Sequence, residues 1–283
     1  MCHSEVPIVG EIIANGEVAP EHYLLSVELP QSIPAPAPGQ FVMVRAADRD
    51  DPLLSRPLSV YGFHRNPNYA VLDLLYRVCG KGTTLMSRLD HGDRLQILGP
   101  LGHGFDMAPH KQNIILVAGG VGIAPITYLA FHYGIHDRTR PGTGPNSAVR
   151  KIIGYMGAKC CDNLVGRERL EMYCSEVKIS TDDGSHGCCG FVTDMFLADL
   201  DSYHEDNSII YACGPTSMMQ ALAEILRDRK ISCQVSVEER MACGIGACLG
   251  CAVQVTNSVG GYAFKRGCQE GPVFDIKEIV WGG

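Results

Sequence analysis

Four cysteines set the strongest limit on what this chain can fold into. Cys243, Cys248 and Cys251 follow one another as Cys-x4-Cys-x2-Cys, and Cys268 comes after sixteen intervening residues. Three thiolates this close, with Gly244, Gly246 and Gly250 between them, can wrap a small inorganic core. Glycine lets the backbone come near the sulfides and turn its N–H groups toward them. The spacing is that of a plant-type [2Fe–2S] ligand set. A structural zinc site is the alternative, although zinc ligands usually come as two separated Cys-x2-Cys units and have no use for the glycines.

The other nine of the thirteen cysteines, including the adjacent pairs Cys160-Cys161 and Cys188-Cys189, have no ligand spacing and read as ordinary thiols. An odd cysteine count in a chain of 283 residues argues against a disulfide framework. The first residues lack a basic segment followed by an apolar run, so the expectation is a cytoplasmic protein. There is no uninterrupted apolar stretch of about 18 residues, so no membrane span is expected. A net charge of −7 without a Lys/Arg-rich block argues against nucleic acid as a partner.

The rest of the chain changes texture near Pro109. Before it, short β-branched and aromatic runs such as Tyr23–Leu29 and Gln40–Arg45 alternate with Gly/Pro turns, the pattern of a small antiparallel barrel. Pro30 to Gly39 holds four prolines and must be a loop. After it, Ile114–Ala118 runs apolar into a glycine-rich turn and an apolar helix over Pro125–His132, as a buried parallel strand feeding a helix does. Similar strands are expected at Lys151–Tyr155, Val177–Thr181 and Ser208–Cys213, with a helix from Thr216 to about Lys230. Arg138 to Asn146 reads as a surface loop. The Cys- and Gly-rich tail has strand-like runs at Cys251–Val255 and Ala263–Arg266, and is too short to build a strong core without a metal staple.

Three further motifs are weak singly and informative in order. They are Arg56-Pro57-Leu58-Ser59 with Leu75-Tyr76-Arg77 and Gly82-Thr83, then Gly119-Gly120-Val121-Gly122 leading to Pro125, then Cys213-Gly214-Pro215. The second places helix N-terminal N–H groups against a pyrophosphate, with Pro125 at the first helical position. Its order is Gly-x-Gly-x-x-Pro, unlike the Gly-x-Gly-x-x-Gly of ordinary dehydrogenases.

Together these motifs resemble the ferredoxin–NADP reductase superfamily. The resemblance implies that Arg56 clamps the FAD pyrophosphate, a task suited to its forked donors. It further implies that Ser59 lies near flavin N5, that Tyr76 stacks or hydrogen-bonds along the flavin, and that Gly82 and Thr83 offer donors to phosphate. Gly119, Gly120, Gly122 and Pro125 would hold NAD(H), with Cys213, Gly214 and Pro215 beside the nicotinamide and Ser59 and Cys213 at the hydride-transfer site. Asp182-Asp183-Gly184-Ser185 would meet the adenosine ribose and favour NAD over NADP.

The tail, Glu239–Cys251 and Gly267–Phe274, is similar to that of the electron-transfer subunit of two-subunit NAD-dependent dihydroorotate dehydrogenases. That likeness implies an α+β, multidomain oxidoreductase subunit: an antiparallel FAD-binding β-barrel over residues 1–108, an α/β parallel-sheet NAD-binding domain over 109–231, and a small C-terminal [2Fe–2S] domain over 232–283. It implies as partner an FMN-containing dihydroorotate dehydrogenase catalytic subunit in a two plus two heterotetramer of pyrimidine biosynthesis. An NAD(P)H-oxidising subunit of a ferredoxin-linked reductase, hydrogenase or sulfite reductase shares the motifs, and so does a reductase feeding an oxygenase. A zinc-binding interaction module on the same scaffold is the reading from a different class. Trp281, the only tryptophan, either anchors a partner or packs back on its own domain.

Overall fold

The computed structural model describes residues 6–46, 51–139, 150–257 and 260–282. The expected loop at Arg138–Asn146 lies, from residue 140 on, outside the described residues.

The first half is a closed antiparallel barrel of β1 (Ile8–Ala19), β2 (His22–Pro30), β3 (Phe41–Ala46), β4 (Arg56–Arg65), β5 (Tyr69–Arg77) and β6 (Arg94–Leu101), with a short helix α1 (Lys81–Met86) after β5. The strand order is β1-β2-β5-β4-β3-β6, and β6 closes on β1. Alternate residues point inward, as the twofold repeat of a strand requires, so Leu25, Val27 and Leu29 of β2 meet Val42, Leu72 and Leu95 inside. The proline-rich stretch between β2 and β3 forms neither strand nor helix, and it is pinned by Tyr128, whose hydroxyl donates to the Pro36 carbonyl at 3.1 Å.

The second half is a seven-stranded sheet. Its elements are β7 (Asn113–Gly119), α2 (Ile123–Thr139), β8 (Lys151–Ala158), α3 (Arg167–Glu171), β9 (Glu176–Thr181), β10 (Cys188–Cys189), α4 (Val192–Asp199), β11 (Ser208–Cys213), α5 (Thr216–Leu226) and β12 (Ser232–Ser236). A tail hairpin of β13 (Ala252–Thr256) and β14 (Tyr262–Arg266) and a last strand β15 (Val273–Asp275) follow. The order is β10-β9-β8-β7-β11-β12-β15, parallel throughout except for β15. The unbroken apolar run of β7 reflects burial on both faces: Ile114, Leu116 and Ala118 enter one core and Ile115 and Val117 the other.

Two expectations change. Helix α5 ends at Leu226, four residues short of Lys230. The strand Ser232–Ser236 pairs in register with β11 and receives β15 on its other side, so a division of the chain at residue 232 cuts the sheet. The cysteine-rich segment starts after Ser236. It also has an apolar footing of its own, because Val253, Val255, Ile276 and Ile279 share a core with the sheet.

Barrel and sheet meet through an apolar seam holding Tyr61 and Leu75 from the barrel against Ile123 and Val165. Arg169 of α3 crosses it, with its guanidinium 4.4 Å over the Tyr61 ring and 3.5 Å from the Asp73 carboxylate.

Candidate functional site

Arg56, Pro57, Leu58 and Ser59 open β4, where they pair with Val44, Met43, Val42 and Phe41 of β3. The Arg56 guanidinium is held over α1 by the carbonyls of Leu54, at 2.8 Å, and Ser55, at 3.3 Å. Gly82 makes room for it, since a Cβ there would overlap Arg56 Nε and stand 2.7 Å from Cζ. Arg56 and Gly82 are thus brought together at the barrel rim. The Thr83 hydroxyl is buried and turned inward: it accepts from the amides of Cys79 and Gly80 and donates to the Gly80 carbonyl, so it shapes the turn. Arg77 pairs with Glu21 at 2.8 Å on the surface.

Leu75 and Tyr76 are strand neighbours and face opposite ways. Leu75 lies in the seam between the domains, while Tyr76 is 2% exposed inside the barrel, stacked on Tyr23 and donating to Asn15 Oδ1 at 3.1 Å. Burial pushes its hydroxyl pKa far up. The Tyr76 ring thus packs in the barrel core beside Tyr23.

On the nucleotide side, the turns after β7 and β11 lock together. A Cβ on Gly122 would overlap the Cys213 carbonyl oxygen, and one on Gly119 would stand 2.6 Å from Met218 Sδ and 3.0 Å from Pro215. Gly120 has φ +53, a conformation that glycine adopts at little cost. The chain passes through a 3₁₀ turn, Gly120–Gly122, before α2, so Pro125 is the third residue of the helix and not its first. It is tolerated there because the first four helix N–H groups lack intrahelical partners. Cys213 ends β11, buried, with burial raising its thiol pKa strongly, so it sits as a neutral thiol. The turn Asp182–Ser185 leaves the carboxyl end of β9, where Ser185 donates to Asp183 Oδ1 through Oγ at 2.6 Å and through N–H at 3.0 Å.

The four tail cysteines lie in two pairs. Cys251 and Cys268 are buried with their sulfurs 3.3 Å apart, and the Cys248 amide donates to Cys243 Sγ at 3.4 Å. The Gly246 amide joins the pairs by donating to Cys268 Sγ at 3.1 Å. Gly244 (φ +73) and Gly246 (φ +81) supply the left-handed turns that aim these amides inward. Burial alone would raise the Cys243 thiol, yet the amides of Cys248, Ile245 and Ala247 pull it down to about 7. Burial beside Cys251 pushes Cys268 up to about 12. Thiols ringed by amide donors suit a group that binds thiolates, so the residues present fit an iron–sulfur cluster.

Sequence reasoning missed what joins these sites. Phe41, Met43 and Leu101 of the barrel pack directly on Cys251 and Cys268. The backbone amide of His103 donates to the Gly271 carbonyl, and its Nδ1 lies 3.0 Å from the Gln269 carbonyl. Trp281 packs back on its own domain, donating to the Ile276 carbonyl at 2.9 Å.

A six-stranded barrel, a parallel sheet with two interlocked glycine turns at its carboxyl edge and a four-cysteine tail define a reductase of ferredoxin–NADP reductase architecture with an iron–sulfur module, an oxidoreductase subunit. Residues 116–224 match the model of the oxidoreductase NAD-binding domain, and residues 238–280 that of the iron–sulfur cluster binding domain of dihydroorotate dehydrogenase B. The chain is 35% identical to the dihydroorotate dehydrogenase B (NAD(+)) electron transfer subunit of Desulforamulus reducens, over 96% of this chain and 97% of that one. It is 39% identical to the subunit of the same name from a Geobacillus species, over 86% of this chain and 87% of that one. The chain belongs to this family of dihydroorotate dehydrogenase B electron transfer subunits.

Among solved structures, the NADH-dependent reduced ferredoxin-NADP oxidoreductase is 26% identical with a TM-score of 0.78, over 97% of this chain and 90% of that one. A ferredoxin NADP+ reductase from Neisseria gonorrhoeae, with bound FAD and NADP, shares the fold at a TM-score of 0.63 and 15% identity, over 78% of this chain and 91% of that one. Among the described residues no helix is long and apolar enough to cross a membrane.

Proposed function

We propose that this chain carries electrons between NAD(H) and the FMN-containing catalytic subunit of a dihydroorotate dehydrogenase, as a two plus two heterotetramer in the cytoplasm, serving pyrimidine biosynthesis. FAD, when bound, exchanges hydride for single electrons, and the [2Fe–2S] cluster carries them singly. The chain's own residues do the positioning. Arg56, seated on Gly82, would take the FAD pyrophosphate, and Pro57, Leu58, Ser59, Leu75, Tyr76, Arg77 and Thr83 would complete the flavin site. Gly119, Gly120 and Gly122 offer amides to the dinucleotide phosphates, while Cys213, Gly214 and Pro215 close on the nicotinamide. Asp183, oriented by Ser185, takes the ribose hydroxyls and selects NAD over NADP.

The observation that carries this reading is the apolar contact of Phe41, Met43 and Leu101 on Cys251 and Cys268. Phe41 pairs with Ser59 across β3 and β4, so the flavin-side strand adjoins the apolar cluster that takes in both cluster thiols. An apolar bridge of this kind excludes water from the path between the two groups. No residue of this chain need touch the pyrimidine.

The test uses the purified chain with its catalytic subunit. The pair is expected to reduce NAD+ with dihydroorotate, and the chain alone to oxidise NADH with an artificial acceptor but never dihydroorotate. Cys248→Ser is expected to abolish the coupled reaction and spare NADH oxidation by the single chain. Stoichiometric zinc without acid-labile sulfide, or absence of coupling in the mixture, sinks the reading. Co-purification of a hydrogenase or ferredoxin would favour the ferredoxin-linked alternative, to which the likeness to the NADH-dependent ferredoxin-NADP oxidoreductase lends weight.

A further inference from the structure

Four thiols outside the cluster ligands gather at the carboxyl edge of the parallel sheet. Cys160 and Cys161 follow β8, and Cys188 and Cys189 form β10. Cys161, Cys188 and Cys189 are exposed and Cys160 half-buried. Between the two pairs runs the turn Asp182–Ser185, fastened to β8 by the Asp182 amide on the Ala158 carbonyl, at 3.0 Å, and the Asp183 amide on that of Lys159, at 3.3 Å. The Cys161 amide donates to Ser185 Oγ at 2.7 Å, and that hydroxyl in turn holds Asp183.

Cys189 closes the turn from the other side. It pairs with Thr181, its Sγ lies 3.9 Å from the Asp182 carbonyl, and a Cβ on Gly184 (φ +72) would stand 3.1 Å from that sulfur. Bulk added at the Cys189 sulfur therefore meets the backbone of the turn, and Cys161 is the residue whose own amide fastens Ser185. Ligands of open parallel sheets enter at the carboxyl ends of the strands. The thiols thus flank a segment at this edge that carries two carboxylates, those of Asp182 and Asp183.

We propose that these cysteines form a reversible modification site for a small disulfide of the oxidised glutathione class, and that a mixed disulfide at Cys189 or Cys161 displaces the Asp182–Ser185 turn and weakens dinucleotide binding. The inference rests on the reading of this turn as the adenosine end of the NAD(H) site. In the step, the cysteine thiolate attacks one sulfur of the disulfide. A protein–glutathione S–S bond forms as the original S–S bond breaks. The second glutathione leaves with the electron pair and takes up a proton, so the protein thiol is oxidised and the leaving half reduced. Cys213, Cys233, Cys251 and Cys268 are buried and do not compete, whereas Cys79, after β5 of the barrel, is exposed and its adduct is scored apart from those at the turn.

The holoprotein is treated with oxidised glutathione, the adducts are located by peptide mass mapping, and the KM for NADH is measured with an artificial acceptor. Adducts are expected at Cys161 and Cys189, formed more slowly when NAD+ is present. The KM for NADH is expected to rise about tenfold, with flavin and cluster absorption unchanged, and dithiothreitol to restore it. The variant with Cys160, Cys161, Cys188 and Cys189 all changed to Ser should keep the untreated KM and ignore the reagent. An unchanged KM with the adducts in place, or a variant that responds as fully as the parent, overturns the inference and leaves the dinucleotide site standing. Untreated holoprotein that does not oxidise NADH removes the site reading, and the inference falls with it.

Discussion

A Cβ on Gly244 would stand 2.5 Å from Cγ of Met43, which puts the cysteine loop in direct contact with the third strand of the barrel. The loop backbone at this point has φ +73, so no other residue type fits both the conformation and the space.

Gly244→Ala is therefore expected to cost about 2 kcal/mol locally from the left-handed backbone alone, with the overlap adding to it. Iron and labile sulfide content should fall and the coupled reaction with them, while flavin content and NADH oxidation with an artificial acceptor persist. A variant that keeps full cluster occupancy after gel filtration would contradict the contact.

Arg169 is a positioning residue for the two domains, through Tyr61 and Asp73. A cation over an aromatic ring together with a largely buried ion pair contributes about 1–2 kcal/mol. Arg169→Ala should retain FAD and the cluster but slow flavin reduction by NADH in stopped flow by about tenfold, because hydride transfer is sensitive to small misplacements. Arg169→Lys should recover only part of the loss, lacking the flat guanidinium. Equal rates in all three proteins would assign the residue to stability alone.

What was legible in the sequence was local. The cysteine spacing, the Gly119–Gly122 turn and the Cys213-Gly214-Pro215 turn announce themselves because each motif is shaped by its own backbone. Which way Tyr76 faces was not, since a strand alternates faces and a motif names residues without naming the side. The pairing of Ser232–Ser236 with β11 was hidden for a related reason: a five-residue strand beside a cysteine-rich tail has the composition of the tail, and only hydrogen bonds to a distant strand assign it. Arg169, Met43 and Asn15 act on partners far away in the chain, where no periodicity or spacing reaches.

The second half offers a test in pH. Lys178 Nζ lies 2.6 Å from Asp199 Oδ2, which also accepts from the Tyr155 hydroxyl at 2.6 Å. Burial would raise the Asp199 carboxyl, but Lys178 and Tyr155 hold it below its ordinary value, and its hydrogen bond to Asp199 raises Lys178 above its own. A depressed carboxylate stabilises the fold above its unfolded pKa and loses this as pH falls through the folded one. A raised ammonium stabilises below its unfolded pKa and loses this as pH rises through the folded one. Asp199→Asn should cost about 2 kcal/mol at neutral pH. The gap to the parent in chemical denaturation should be flat from about pH 5 to 9 and close below about pH 4. A gap that widens in acid would refute the assignment.

The last prediction concerns Arg56 and Gly82, whose contact ties the start of β4 to the turn after β5. Arg56→Ala removes a charge-assisted phosphate contact and should weaken FAD binding by about 2 kcal/mol, roughly thirtyfold. Gly82→Ala adds a single methyl, and the helical backbone there accepts alanine readily. Its only evident cost is the overlap with Arg56 Nε, which forces the guanidinium off its seat. The single variant should therefore lose FAD nearly as badly as Arg56→Ala. In the Arg56→Ala background the same methyl has nothing to displace, so Gly82→Ala should cost little more. Such a shortfall from additivity in a double-mutant cycle is the mark of two residues acting through one contact. FAD released on equilibrium dialysis, read by fluorescence, measures all four proteins. Additive losses would mean that Gly82 serves the flavin by a separate route, and unchanged retention in Arg56→Ala would take the arginine out of the site altogether.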